Sequence, residues 1–120
     1  MTDLLNLILS CATVGLGCSG WLLPGRTMQK LDLRDGGSTM GLSEIRAASG
    51  ALFVAAGLGA VLIEEPVAYA MLGVVWLGGA IGRATSLGLD GRTGRKWGFF
   101  ATEAVVALVL ISINSAAFAG

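Results

Sequence analysis

The chain has 120 residues, 54% of them hydrophobic and 13% charged, with eight basic residues balanced by eight acidic ones and no histidine. A water-soluble domain carries roughly a quarter charged residues, so this composition excludes an ordinary hydrated surface. Zero net charge gives no basis for nucleic-acid binding, and the lack of His removes the commonest general base and metal ligand.

The opening stretch MTDLLNLILS carries Asp3 and no basic cluster, a poor fit to a cleaved signal peptide. The first apolar segment covers residues 4–23 without a charge. At 1.5 Å per residue it matches a hydrocarbon core of about 30 Å. Asn6, Ser10, Thr13 and Ser19 can bond back to the helix or to a neighbour. Cys11 and Cys18 lie seven positions apart on one helix, cannot bridge there, and read as small packing residues. Trp21 suits the membrane interface, and Pro24-Gly25 predicts a stop. Residues 26–43 form a polar connection, RTMQKLDLRDGGSTMGLS, with room for a short interfacial helix before Gly36-Gly37.

The second segment is predicted over 43–63, with Ser43 as its cap. Ala47, Ala51, Ala55 and Gly59 recur every four residues and predict a smooth packing face, with Ala56 and Ala60 as a second row. Glu64-Glu65-Pro66 is a sharp turn, so the third segment, 67–88, runs antiparallel to the second. It holds Trp76 and a small-residue cluster with GxxxG spacing at Gly78 and Gly82, then meets Arg83. A basic turn with Arg92, Arg95 and Lys96 leads to the fourth segment, 97–118, which carries Glu103 inside it and Asn114 near its end. The nineteen glycines, without a G-X-Y period, fit close helix packing in a bilayer.

All eight basic residues fall in two regions. Arg26, Lys30, Arg34 and Arg46 flank the first connection, and Arg83, Arg92, Arg95 and Lys96 flank the third. Four crossings put both regions on one side. The expected fold is therefore an all-α membrane protein, a four-transmembrane-helix up-down-up-down bundle in a single domain over residues 1–120. The basic loops are expected in the cytoplasm and both termini in the periplasm. Arg46, Arg83 and Glu103 enter their helices to similar depths from the basic side, and Glu44 is shallower. They form the candidate polar cluster, in which Glu103 is predicted to pair with Arg83 or Arg46, because a buried charge without a partner is costly.

The chain resembles the DUF4345 family of small bacterial membrane proteins of unknown function. The resemblance rests on GLSEIRAASGALFVAAGL at 41–58, on GRATSLGLDGRTG at 82–94, and on the Glu103 that follows. Glu44, Arg46 and Ala47 match an E-x-R-A start to the second helix. Arg83, Ser86, Leu87, Asp90 and Gly91 match an R-x-x-S-L-x-x-D-G stretch. The resemblance implies a four-helix bacterial membrane protein, here placed in the inner membrane, and transfers no cofactor, metal or catalytic residue.

The expected role is a non-catalytic accessory or structural subunit of a larger integral-membrane complex, touching lipids and either a protein partner or further copies of itself. The alternative is a small oligomeric transporter, or a lipid- or small-molecule-binding protein that uses the cluster of Arg46, Arg83 and Glu103. A lipid-modifying enzyme would need Glu44 or Glu103 as base, and no nucleophile or metal set accompanies them.

Overall fold

The computed structural model describes residues 2–119, which are all-α with no strand among them. Four helices are long and apolar enough to cross a membrane. The all-α, multi-pass membrane class is thus the one observed.

Helix α1 (Thr2–Leu22) has Asp3 in its first turn, where a carboxylate meets the positive end of the helix dipole. It stops at Leu23 because Pro24 has no N–H and forces the preceding residue out of the helical region. Pro24 does more than end a helix. It is the first residue of a short second one, α2 (Pro24–Lys30), so the expected interfacial helix begins before the polar stretch. Thr27 ties the junction by donating its hydroxyl to the carbonyls of Ser19 and Leu23. A Schellman-type close follows: Leu33 N–H bonds the Met28 carbonyl and Asp32 N–H bonds that of Gln29, with Asp32 at φ +57°.

Helix α3 (Met40–Arg46) passes through a π-helical turn (Ala47–Ala51) into α4 (Leu52–Ile63). Thr39, and not Ser43, stands at the cap position. Glu64, at φ +60°, and Glu65 make the turn, and Pro66 opens α5 (Pro66–Leu89). Thr93 caps α6 (Gly94–Ile113) by accepting the Lys96 N–H. The cap brings Arg95, Lys96 and Trp97 inside the helix, which begins before 97. Lys96 Nζ then donates to the carbonyls of Asp90 and Gly91, which close the preceding turn. Asn114 ends α6, and residues 115–118, expected to be α-helical, form a 3-10 turn.

The chain gathers into two compact units, and the boundary falls within α1. In Ser10–Leu62 the second half of α1 packs antiparallel against the π turn and α4 through glycines. A Cβ added at Gly50 would lie 2.6 Å from Trp21 N, one at Gly17 would lie 2.6 Å from Val54 N, and one at Gly57 would lie 2.7 Å from the Ser10 carbonyl oxygen. The expected face of Ala47, Ala51, Ala55 and Gly59 is therefore corrected. Ala47 and Ala55 are exposed, Ala51 is half-buried, and Gly59 has open space where its Cβ would be. The π turn explains the shift. Its i→i+5 bonding rotates the faces on either side, so counting by fours across it follows the wrong stripe.

In the other unit α5 and α6 form an antiparallel hairpin. Gly73 lies against Leu110 and Ile111. Gly78 and Gly82 do not make this contact: both are exposed with nothing in reach of an added Cβ. The first turns of α1 belong to this unit through a buried amide pair. Asn6 Nδ2 donates to Asn114 Oδ1 at 3.1 Å, Asn114 Nδ2 returns a bond to Asn6 Oδ1 at 2.7 Å, and the same nitrogen donates to the Leu110 carbonyl. Two amides that satisfy each other remove the cost that each would carry alone in an apolar interior.

Candidate functional site

Two turns of α5 and two of α6 build the charged site. Gly79 and Arg83 are one turn apart on α5, Phe99 and Glu103 one turn apart on α6, and each pair shares a helix face. Antiparallel packing sets Arg83 against both residues of α6. Its Nε donates to Glu103 Oε1 at 3.1 Å. Its guanidinium carbon lies 5.1 Å from the centre of the Phe99 ring. The other carboxylate oxygen occupies space that only glycine leaves, since a Cβ on Gly79 would stand 2.7 Å from Oε2.

The energetics follow from depth. Glu103 lies nine residues beyond Gly94, about 14 Å along the helix. A lone charge near the centre of a spanning helix costs about 2.5–3.5 kcal/mol on insertion scales. The Glu103 side chain is only 15% exposed and too short to reach the membrane surface, so its partner must come to it. Arg83 does so with a longer stem. Phe99 is one turn nearer the basic loop than Glu103, so a guanidinium over that ring leans towards the membrane edge while Nε keeps the carboxylate. The ring face adds a cation–π attraction of about 0.5–2 kcal/mol. The arrangement compensates two charges in place across the α5–α6 hairpin.

Of the residues expected to cluster by depth, Glu103 takes Arg83 within its own unit, and Arg46 within the other donates from Nη1 to the Trp21 carbonyl at 2.6 Å. The reason is local. With no N–H on Pro24 and α1 ending at Leu22, carbonyls in the last turn of α1 lack helical donors, and a cation suits that end of the dipole. Counting depth along the helices does not reveal such an acceptor. Glu44 is exposed on α3, and neither it nor Arg46 makes an ion pair among the described residues. No group of three His, Cys, Asp or Glu side chains is placed to hold a metal among the described residues.

Sequence reasoning missed the supporting roles of Phe99 and Gly79. The signal was present as the four-residue spacing from Gly79 to Arg83 and from Phe99 to Glu103, which puts a small residue and an aromatic one turn from each charge. The Asn6–Asn114 pair had no such signal, because 108 residues separate its members.

A family model described as a domain of unknown function, DUF4345, matches residues 1–113, and the chain belongs to that family. No curated protein and no solved structure matches it.

Proposed function

We propose that this DUF4345 member is a non-catalytic accessory or structural subunit of a larger integral-membrane complex in the bacterial inner membrane. The supporting observation is the closed Arg83–Glu103 pair. Two intramembrane charges spend their interaction on each other across one helical hairpin. That is an arrangement for holding helix register, a known use of buried ionic groups, rather than for relaying a proton or ion. The open Gly78–Gly82 edge of α5 is where another helix would come closest.

The test is purification from native membranes under gentle solubilisation. A partner membrane protein, or a defined homo-oligomer, should co-purify in fixed stoichiometry across mild detergents and nanodiscs. A strictly monomeric species in all of them would overturn the reading. The transporter alternative requires flux in proteoliposomes that Glu103→Gln removes.

The orientation we propose has both basic loops in the cytoplasm and both termini in the periplasm. With Cys11 and Cys18 replaced, single cysteines at Gly37 or Thr93 should resist a membrane-impermeant thiol reagent in spheroplasts, while one at Glu65 should react. The opposite labelling pattern would reverse the topology.

A further inference from the structure

A second feature lies in the Ser10–Leu62 unit, and no carboxylate is among the residues that line it. The end of α1 and the start of α3 border an open, shallow groove of about 530 Å³, lined by Trp21, Thr39, Leu42, Ser43, Arg46 and Ala47. We propose that this groove binds the phosphate of an anionic phospholipid headgroup, with Arg46 as its main ligand.

Arg46 has five N–H donors, and the structure gives one of them, on Nη1, to the Trp21 carbonyl. A carbonyl satisfies a donor but leaves the positive charge uncompensated, and Arg46 has no carboxylate partner among the described residues. Glu44, two positions away, does not line the groove. The bond to Trp21 also fixes the guanidinium on the groove wall, so binding a ligand would not require ordering a free side chain. A planar guanidinium with open N–H groups suits the paired oxygens of a phosphate diester.

Two hydroxyls share the groove. Ser43 precedes Arg46 by three residues and follows Thr39 by four, so all three follow one line along the helix start. Thr39 occupies the cap position without making a side-chain cap bond, which leaves its hydroxyl available. The remaining wall is apolar. Trp21 is 44% exposed, as an indole at a membrane interface is expected to be, and Leu42 and Ala47 stand with it. A cation and two hydroxyls against an aromatic and aliphatic wall match a phosphate that carries a glycerol and acyl chains. A small hydrated anion would have no use for that wall. This inference depends neither on the accessory role nor on which leaflet the groove faces.

The experiment is native mass spectrometry of the full chain released from nanodiscs containing phosphatidylglycerol, phosphatidylethanolamine and phosphatidylcholine. Wild type should retain one phosphatidylglycerol in preference to phosphatidylcholine. Arg46→Gln should lower that preference roughly tenfold, as expected for a charge-assisted contact. Because this substitution also removes the Trp21 bond, a second variant, Thr39→Val with Ser43→Ala, keeps Arg46 and its bond. It should reduce retention by a smaller factor, about threefold. Excess inorganic phosphate should leave the bound lipid in place. Equal retention of the two lipids by wild type would overturn the site. So would unchanged retention in both variants, and displacement by free phosphate would overturn the lipid assignment.

Discussion

A valine at Gly50 is expected to abolish the folded hairpin of residues 10–62. Gly50 is buried within the π turn, and a Cβ there would lie 2.6 Å from Trp21 N, 2.7 Å from Trp21 Cα and 2.9 Å from the Gly20 carbonyl carbon. All three are backbone atoms of α1, so no side chain can rotate aside. The helices would have to separate by an ångström or more. That movement would also open the approaches at Gly17 and Gly57 and stretch the bond from Arg46 to the Trp21 carbonyl. Overpacking in a well-filled interior costs about 1–3 kcal/mol even where side chains can adjust, and here the rigid backbone puts the expected loss above about 3 kcal/mol. Gly59→Val is the matched control, since it lies on the same helix with open space around its Cβ position and should fall within about 0.5 kcal/mol of wild type. Yield of folded protein in mild detergent, followed by unfolding in SDS, reads the difference. Equal stability of the two variants would refute the glycine contact.

The contrast between Gly50 and Gly59 also shows what could be read from the sequence. The four spans were visible because helix-length runs this apolar, with at most one or two charges in each, are scarce in any other kind of protein. Their ends moved where a side chain changed a backbone rule. Pro24 starts a helix as well as stopping one, and Thr93 draws the start of α6 back to Gly94. The packing faces were less visible. Glycines at 17, 20, 50 and 57 make the close approaches, while the regular row from Ala47 to Gly59 does not. A repeat of four assumes uninterrupted α geometry, and no residue in AASGA announces a π turn. The pairing of Glu103 with Arg83 was legible because depth can be counted along each helix and opposite charges in an apolar medium must meet. Arg46 escaped the same logic because its partner is a backbone carbonyl, which one-letter code does not display.

Breaking the ion pair from its two ends should give unequal losses. Arg83→Leu leaves the Glu103 carboxylate half-buried on a short stem and without its ion-pair partner. We expect a loss of about 3 kcal/mol, the lower end for stranding a partner of a buried pair, since Arg83 is itself 34% exposed. Glu103→Leu should cost less, because Arg83 can stay on Phe99 and extend to the headgroups. The double variant Arg83→Leu with Glu103→Leu should recover most of the loss, and the cycle should give a coupling of at least about 1 kcal/mol. Reversible unfolding in detergent gives all four corners. If the double variant is no more stable than Arg83→Leu alone, the two residues do not act as a pair. The same double variant separates the functional readings. A pair that serves only register is replaceable by two well-packed leucines, so the doubly substituted protein should still recover its native partner. A pair that serves transport is not replaceable, and the same protein would then be stable and inactive in proteoliposomes.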